Sequence, residues 1–483
     1  MSGQPTSSPA ALTGGVVRDE REAAIRRIAH RKHTAFRIYA SLAALITAVV
    51  LVATACSSPS APTPVIPPDT PAGAQLRWLI AAMAHLPMSD AQVRAHFDAG
   101  VLARGSPAEL NQWLQAMTDV KLVSVKVGEP STVVAIVTTS GAVPRARVTL
   151  TVDSRGLIGW LGLSPAIAGP VPATWAGVDT ALRSVAPQVR LLVANVSNGS
   201  CQPVHGIDPA TAAPIGSAFK LYVLDALGNA VAAGKVGWDQ PLTVTAQLKS
   251  FPSGVLQNDP DGTQISVLDA AAKMISISDN TAADMLINLV GRSAVEAALT
   301  TTGMANPSLN RPFLTTRETF ILALEQWPAL AKRYLAANEA DRRALLADTV
   351  DRLPLPDAAA ASALSTRVAI AGLGPAASAG DICRAYASLA TLARRPGLSP
   401  IGQVLSLNDD GLDLDPAQWK TTWYKGGYGA GVLTLAYLAT TRTGQSYVVT
   451  VLAENRSQPI DGATATPIIL SAIKGAFTLA AGR

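Results

Sequence analysis

Histidine and cysteine are scarce in this chain, which removes much of the chemistry that proteins build from them. The 483 residues include five histidines and three cysteines, and His205 is the only histidine after residue 172. A histidine-based catalytic triad in that part of the chain would therefore depend on one residue. The sequence contains no zinc-ligand spacing and no phosphate-binding loop. We accordingly expect neither a metal nor a cofactor.

Charge is also limited, and its excess is confined to one end. Charged residues make up 15% of the chain, and the formal net charge is +5. Residues 1–55 hold seven Lys or Arg against three Asp or Glu, which is +4 and leaves +1 for all later residues. The sequence thus gives no electrostatic case for binding nucleic acid. With 48% hydrophobic residues, the chain is long enough for two domains with substantial cores.

The N-terminus has the composition of a targeting segment. Residues 1–37 are basic, and residues 38–56 form an apolar run that ends with small residues before Cys56. This order resembles a bacterial lipoprotein signal, in which Cys56 would carry the lipid that anchors the protein in the membrane. An uncleaved signal anchor is the alternative, because about 18 apolar residues can span a bilayer. Both interpretations put the rest of the chain on the extracytoplasmic face of the cell membrane.

A proline- and serine-rich segment follows at residues 57–72. It shows no periodic apolar face, so we expect an extended tether. Such a tether would hold the folded domains away from the membrane surface.

Residues 73–165 predict a small α+β domain. Leu76, Leu79 and Met83 have helical spacing, and Ser106 with Glu109 forms a capping box with proline at the first helical position. Three or four strands are predicted after these helices, within residues 122–127, 133–138, 148–152 and 157–161. Helices followed by a curled antiparallel sheet resemble the cystatin-like and nuclear-transport-factor-2-like folds.

Three polar residues of this first domain are candidates for chemistry: His85, His96 and Asp98. Isolated polar residues on helices are more often solvated than functional. We therefore assign the domain to packing or binding rather than to catalysis.

Residues 173–480 predict a second domain of mixed helices and strands. A helix over 175–185 and a strand over 189–196 come first, and a helical insertion covers 319–360. A further helix is expected over 378–392. Two strands are expected within 423–434 and 446–453, joined by a turn near Gly444, before a terminal helix from residue 466.

Ser217 and Lys220 lie at the start of an apolar helical run that ends near Gly234. Residues three apart share one face of a helix, so the hydroxyl and the amine should be neighbours. A serine becomes a useful nucleophile when a neighbouring base takes its proton, and a desolvated lysine can be that base. The helix N-terminus adds free backbone N–H groups that can hold an oxyanion.

Two later stretches complete a recognisable order of motifs. Ser278-Asp279-Asn280 lies between two helical patterns, and Lys425-Gly426-Gly427 leads into an apolar strand. The order S-x-x-K, S-D-N and K-[ST]-G is the motif set of class A β-lactamases and penicillin-binding proteins. This part of the chain therefore resembles a class A β-lactamase-like serine hydrolase, with an antiparallel sheet flanked by helices. Gly426 stands where the motif has a hydroxyl residue.

The resemblance implies a role for each of these residues. Ser217 would be the nucleophile, Lys220 the base, and Ser278 a proton carrier to the leaving group. Lys425 would supply positive charge. The residues implied in substrate binding are Asn280, Gly426, Gly427 and Tyr428, the last with its backbone N–H as second oxyanion donor.

Structural interpretations stand beside the catalytic ones. Ser278-Asp279-Asn280 is also a plausible helix cap. Glu318 lies three residues after Thr315, which is capping-box spacing. The segment 309–318 lacks the R-x-E-x-x-L-N loop whose glutamate activates the deacylating water in class A enzymes. A β-lactam acyl-enzyme would then form but clear slowly.

The two-domain layout is similar to a family of actinobacterial lipoproteins and to the β-lactamase-fold esterase encoded with clavulanic acid biosynthesis. It implies hydrolysis of a small acyl ester, a β-lactam or a peptidoglycan-like substrate. The alternative is a non-catalytic relative that binds peptidoglycan or a protein partner through the same cleft. Cys201 and Cys383 remain as thiols after lipidation, and an oxidising envelope allows them to pair. The sequence leaves that pairing open.

Overall fold

We analysed a computed structural model. It describes residues 65–482 except 105, 116, 141–143, 168–169, 252, 357–363, 365–366 and 369–372. The predicted basic segment, the signal or anchor with Cys56, and most of the tether lie outside the described residues. Those assignments stay predictions.

The front domain, residues 71–165, begins with four helices. Thr70 caps the first by accepting a hydrogen bond from the Gly73 N–H, so helix begins inside the predicted tether. Capping boxes start the second helix, at Ser89, and the fourth, at Ser106 as predicted. The helices are α1 (Pro71–Met83), α2 (Asp90–His96), α3 (Ala99–Arg104) and α4 (Pro107–Leu114).

Four antiparallel strands follow in simple sequence order. They are β1 (Lys121–Glu129), β2 (Thr132–Thr138), β3 (Arg145–Val152) and β4 (Ile158–Pro165). Apolar side chains of the sheet and of α1 form one buried cluster, with Leu76 and Leu150 fully buried. Each such side chain contributes about 1.5–3 kcal/mol by leaving water. The predicted helices-then-sheet organisation is confirmed.

The second domain, residues 175–481, is built on a five-stranded antiparallel sheet. After α5 (Trp175–Arg183) come β5 (Gln188–Ser197) and β6 (Ser200–Ile207). The sheet order is β11-β12-β13-β5-β6, in which β11 (Trp419–Gly429), β12 (Val432–Thr441) and β13 (Ser446–Glu454) come from the end of the chain. Strand β11 therefore forms one edge of this sheet and β6 forms the opposite edge.

Strand β6 was not predicted, because it is polar and contains Pro203. Its signal was the Asn198-Gly199 pair, where both residues have positive φ, 51° and 73°. Such a pair makes the two-residue turn that joins hairpin strands. Proline is tolerated on β6 because the strand lies at the edge of the sheet.

The C-terminal strands also differ from the prediction. The run 423–434 is not one strand, since Ala430 and Gly431 turn between β11 and β12. Gly431 has a φ of 81°, and a Cβ there would lie 2.2 Å from the Asn455 carbonyl oxygen. The segment thus forms three strands where two were expected.

Helices cover both faces of the sheet. Between β6 and β11 lie three short strands, β7 (Ala213–Pro214), β8 (Pro241–Thr243) and β9 (Gln264–Ser266), and a fourth, β10 (Ala376–Ala377), pairs with β7. The β8–β9 pair lies after Gly234, in a part of the chain for which no strand was predicted. The helices are α6 (Lys220–Ala232), α7 (Val267–Ser276), α8 (Asn280–Val290), α9 (Arg292–Thr301), α10 (Thr316–Leu324), α11 (Ala329–Ala336), α12 (Glu339–Asp348), α13 (Ala379–Leu392), α14 (Ser399–Ser406) and α15 (Gly462–Ala481).

Alternation along the strands divides the sheet into two cores. Leu192 and Ala194 face the cluster with α6, α7 and α13, whereas Leu191 and Val193 face α5 and α15. Helix α15 is the one helix of the described residues long and apolar enough to cross a membrane, and 67% of its apolar window is buried. It packs on α5 and the sheet as a core helix.

A disulfide joins Cys201 on β6 to Cys383 on α13, 182 residues apart in sequence. It ties the edge strand of the sheet to a buried helix. Linking such distant residues removes conformational freedom mainly from the unfolded chain.

We predict that replacing both cysteines with alanine lowers the free energy of unfolding by about 2–5 kcal/mol. Urea denaturation of the full chain would measure the change. Adding a reductant to the unmodified protein should reproduce the loss. Equal unfolding midpoints with and without the cysteines would contradict the prediction.

Candidate active site

Ser217 lies on a tight turn just before α6. Residues Gly216–Phe219 form a 3-10 helix, and α6 begins at Lys220, so Ser217 is not on the α-helix that the sequence predicted. A 3-10 helix has three residues per turn, which brings side chains three apart directly above each other. Lys220 Nζ therefore lies 3.2 Å from Ser217 Oγ.

Two glycines let β11 approach this turn. Gly216 has a φ of 50°, and a Cβ there would lie 2.9 Å from the Tyr428 backbone nitrogen. A Cβ on Gly427 would lie 1.9 Å from the Ile215 carbonyl oxygen and 2.9 Å from the Ser217 nitrogen. The backbones of the turn and of β11 are thus in contact, with the Ser217 and Tyr428 nitrogens on adjoining segments.

Ser278 lies in the short link between α7 and α8. Its φ is 58°, in the left-handed region that non-glycine residues seldom adopt. Such a conformation persists only where the surroundings hold it, and it is concentrated at functional sites. Here it directs both the carbonyl oxygen and the hydroxyl of Ser278 towards Lys220, at 2.5 and 3.2 Å from Nζ.

Asp279 is the anchor of this link. One carboxylate oxygen caps α8 at the Ala282 N–H, 2.8 Å away. The other accepts hydrogen bonds from the N–H groups of Val255 and Leu256, at 2.7 and 3.0 Å. The helix-cap interpretation of the S-D-N stretch therefore holds for Asp279, while Ser278 and Asn280 face Lys220.

Lys220 is completely buried among oxygen atoms. Besides the two serines, the Asn280 side-chain oxygen lies 2.7 Å from its Nζ. A neutral amine has two hydrogens and one lone pair. The Ser278 carbonyl and the Asn280 oxygen can only accept, so they take the two hydrogens, and the lone pair remains for a hydroxyl.

The electrostatics favour that neutral amine. Burial lowers the pKa of Lys220 from its ordinary 10.5 to about 7, against the opposing effect of the nearby carboxylates of Asp279 and Asp284. Burial, and then the neighbouring Lys220, also lower the pKa of Lys425 well below its usual value.

Lys425 enters the same site from β11. Its Nζ donates to Ser278 Oγ at 3.0 Å and to the Gly426 carbonyl oxygen at 2.7 Å. Ser278 Oγ therefore bridges the two amines. The structure thus brings together all four side chains named from the motifs: Ser217, Lys220, Ser278 and Lys425.

Asn280 has a narrower role than expected. Its oxygen accepts from Lys220, and its amide donates to the Phe251 carbonyl oxygen at 3.0 Å. It is therefore first a support for Lys220, and one amide hydrogen remains for a substrate. Its role in binding substrate stays a prediction, as do those of Gly426, Gly427 and Tyr428.

The histidines and the first-domain candidates lie elsewhere. His205 is on β6, four strands from β11, which is roughly 19 Å at the usual strand spacing. It contacts Asp179 and stacks on Trp175. A triad that uses His205 with Ser217 is thereby excluded.

The polar candidates of the front domain have structural contacts. His96 stacks on Trp78 with ring centroids 3.6 Å apart, and burial lowers its pKa. Asp98 accepts a hydrogen bond from the Val101 N–H at 2.7 Å, and His85 is exposed. Among the described residues, no group of three His, Cys, Asp or Glu side chains is arranged to hold a metal ion.

Sequence reasoning missed several neighbours of the site. Ser253 donates to the Ser278 carbonyl oxygen at 2.7 Å, and the buried Asp284 accepts from the Thr316 N–H at 2.8 Å. Burial raises the pKa of Asp284 to about 7. Asp284 lies four residues after Asn280, so helical spacing was the available signal for it; Ser253 carried none.

Glu318 is structural, and its predicted capping box with Thr315 is confirmed. Its carboxylate is buried and paired with both terminal nitrogens of Arg292, at 2.5 and 3.0 Å. It accepts from the Thr315 N–H as well, at 2.7 Å. All of these contacts are to protein groups away from Ser217.

We predict that Glu318→Gln lowers the free energy of unfolding by about 3 kcal/mol, because it removes the charge that pairs with both terminal nitrogens of Arg292 and leaves only the nearby Asp351 and Glu296. Glu339→Gln is the matched control, since Glu339 pairs with Arg343 at an exposed site and should lose less than about 1 kcal/mol. Chemical denaturation of both variants measures the difference. Equal losses would show that the Glu318 pair is not structurally important.

Comparisons with known protein families match two parts of the chain. Residues 177–346 match the model of a family described as "Beta-lactamase enzyme family", and residues 66–158 match one described as "ORF 12 gene product N-terminal". Ser217, Lys220, Ser278 and Asn280 fall inside the first match. No curated protein matches the chain.

Solved structures with similarity to the chain include two β-lactamases and a protein titled PBP-A. The β-lactamase from Sphaerobacter thermophilus DSM 20745 is 21% identical, with a TM-score of 0.44, covering 63% of this chain and 97% of that one. PBP-A is 18% identical, with a TM-score of 0.43, covering 64% and 99%. The β-lactamase from Chitinophaga pinensis DSM 2588 is 17% identical, with a TM-score of 0.44, covering 63% and 98%.

The family match and the geometry lead to one conclusion about the second domain. Three of the four converging side chains lie within the matched residues, and the fourth, Lys425, is brought to them by the sheet. Over residues 177–346 the chain is therefore similar to the beta-lactamase enzyme family.

Proposed function

We propose that this protein is a cell-envelope serine hydrolase that acts on small acyl esters or β-lactam-type amides through an acyl-enzyme on Ser217. The observation that carries the proposal is the contact of Lys220 Nζ with both Ser217 Oγ and Ser278 Oγ, each at 3.2 Å. A buried neutral amine between two hydroxyls is the arrangement that general-base activation of serine requires.

Acylation follows from these contacts. Lys220 Nζ takes the proton of Ser217 as Oγ forms a bond to the substrate carbonyl carbon. The carbonyl oxygen becomes an oxyanion, for which the Ser217 and Tyr428 N–H groups are the donors. Collapse breaks the bond to the leaving group, and a proton passes from Lys220 through the Ser278 hydroxyl to that group. Lys425 Nζ donates a hydrogen bond to Ser278 Oγ at 3.0 Å and so holds that hydroxyl in place for the transfer.

Fewer groups of the site are placed to assist deacylation than to assist acylation. Within the described residues, no carboxylate is hydrogen-bonded to Ser217, Lys220 or Ser278. The carboxylates close to Lys220, those of Asp279 and Asp284, are held by backbone N–H groups. We therefore propose esterase activity with slow turnover of β-lactams, since water must attack without a dedicated carboxylate base.

The cellular setting is part of the same proposal. A lipid on Cys56 and a tether over 57–72 would hold the enzyme at the extracytoplasmic face of the membrane. The front domain would have a cystatin-like or nuclear-transport-factor-2-like fold. Its arrangement of helices and a four-stranded antiparallel sheet supports that assignment.

We predict that the full chain forms a covalent adduct with a fluorescent penicillin or a fluorophosphonate, and that Ser217→Ala abolishes it. The control is Ser184→Ala, because that exposed hydroxyl only contacts the Ala181 carbonyl. In-gel fluorescence and intact mass measure the adduct. Absence of an adduct with both probes would favour the non-catalytic binding protein. Nitrocefin and p-nitrophenyl acetate turnover then separates β-lactamase from esterase.

We predict a pH dependence set by Lys220. An amine protonated below its pKa cannot accept the Ser217 proton, so kcat/KM for p-nitrophenyl acetate should rise about tenfold per pH unit below about 7 and level off above it. Lys220→Arg should lower kcat/KM by about 10²–10⁴-fold, because guanidinium stays protonated. Lys235→Arg, at an exposed position just after α6, should leave it unchanged. A flat profile between pH 5 and 9 would argue against Lys220 as the base.

A further inference from the structure

One loop of the second domain touches both walls of the candidate site. We call residues 408–413 the junction loop. The Asn408 side chain donates to the Ser276 carbonyl oxygen at 2.7 Å, two residues before Ser278. The Tyr428 hydroxyl donates to the Asp410 carboxylate at 2.9 Å, three residues after Lys425. A displacement of the junction loop would therefore move both segments.

The junction loop is held in an unusual backbone conformation. Asp410, Gly411 and Asp413 have φ values of 52°, 78° and 47°, all in the left-handed region. Two of these residues are aspartates, which adopt this conformation with the help of local hydrogen bonds. The Asn408 and Asp409 side chains accept from the Asp410 and Gly411 N–H groups, at 2.8 and 3.1 Å. The buried Asp410 carboxylate also needs a contact outside the loop. The Asp410 side chain is only 4% exposed.

The front domain supplies that contact. Arg147 on β3 forms an ion pair with Asp410, and its side chain is 14% exposed. The packing is close, because a Cβ on Gly411 would lie 3.3 Å from Arg147 Cδ. The front domain thus neutralises a buried carboxylate whose other partner is Tyr428.

Two tyrosines fill the space beside Gly426. A Cβ on Gly426 would lie 2.0 Å from the Tyr424 hydroxyl oxygen and 3.2 Å from a ring carbon of Tyr428. A serine or threonine therefore does not fit at position 426 while Tyr424 is in place. The two phenol oxygens are 3.5 Å apart, and Tyr428 is 51% exposed. Phenols occupy the place of the hydroxyl that the third motif lacks.

The groups beside Gly426 are not arranged to bind a substrate that carries a carboxylate. The Tyr428 proton is committed to Asp410, so the phenol oxygen can only accept a hydrogen bond from any other group. The positive charge of Arg147 is committed to Asp410 as well. A substrate carboxylate would meet acceptors here, whereas an uncharged ester would not be repelled.

Resting on the proposed hydrolase function, we propose that Arg147 is a positioning residue. Through Asp410 and Tyr428 it orients residues 425–428 of β11, and it thereby makes the site select uncharged acyl substrates over carboxylate-bearing ones. The front domain then contributes to the geometry and the selectivity of the site.

The first test compares two arginines on the same strand in the full chain. Arg147→Gln should lower kcat/KM for p-nitrophenyl acetate by about tenfold or more, because small misplacements of reacting groups are costly. Arg145→Gln is the control, since Arg145 contacts the same loop but pairs with Asp413 at an exposed site, 3.0 Å apart, and should change kcat/KM less than about twofold. Equal effects of the two substitutions would overturn the positioning role.

The second test separates specificity from structural damage. Asp410→Asn removes the negative charge that Arg147 and Tyr428 share and so makes this edge of the site more positive by one charge. The ratio of benzylpenicillin acylation to p-nitrophenyl acetate turnover should then rise about fivefold or more. A purely structural role would lower both reactions together and leave the ratio unchanged, which would overturn the selectivity.

The third test does not depend on activity. Hydrogen exchange of residues 419–432 should be faster in Arg147→Gln than in Arg145→Gln and the unmodified chain. This result would support the positioning role even if no probe reacted with the unmodified protein and the hydrolase function failed. Identical exchange in all three proteins would overturn it.

Discussion

The burial of Lys220 is the constraint on which the rest of the site depends. An ammonium group removed from water is costly, and burial shifts its pKa to about 7. The structure satisfies the resulting amine with acceptors that cannot donate, the Ser278 carbonyl and the Asn280 side chain. The lone pair is thereby left to a serine. The proposed reactivity of Ser217 depends on the groups with which the protein surrounds Lys220.

Several local features that cost stability hold those acceptors in place. Ser278 adopts a left-handed conformation, and Asp279 must be buried to fix the link that carries it. Position 427 has to be glycine, because a side chain there would prevent β11 from lying against the turn at Gly216–Phe219. These features weaken local stability but make sense together, because they converge on one amine. Strained and polar groups of this kind gather where function demands them.

The front domain shares in this organisation. Besides Arg147, it contacts the second domain through Ser131, whose hydroxyl lies 3.1 Å from Lys273 Nζ on α7, and through Asp98, whose carboxylate lies 3.3 Å from the Asn258 amide. Helix α7 leads directly to Ser278. The front domain therefore lies against the elements that carry the site, rather than standing apart as a separate module.

Local sequence determined the helices, their caps and the order of the three motifs. Ser106, Thr315 and Ser378 begin their helices because a side-chain oxygen followed three residues later by an acid satisfies free N–H groups from within one short segment. Motif order likewise named Ser217, Lys220, Ser278 and Lys425. The sequence did not reveal strand β6, the turn at Ala430, or the tyrosines beside Gly426. Those features depend on which strands pair and on what fills a space between distant segments, and pairing energies are set by neighbours that no local window contains. The proximity of Lys220 to Lys425 was decided by tertiary structure alone, because only the folded sheet brings β11 to a residue 205 positions earlier in the chain. The same fold buries both amines, and that burial lowers the pKa of each.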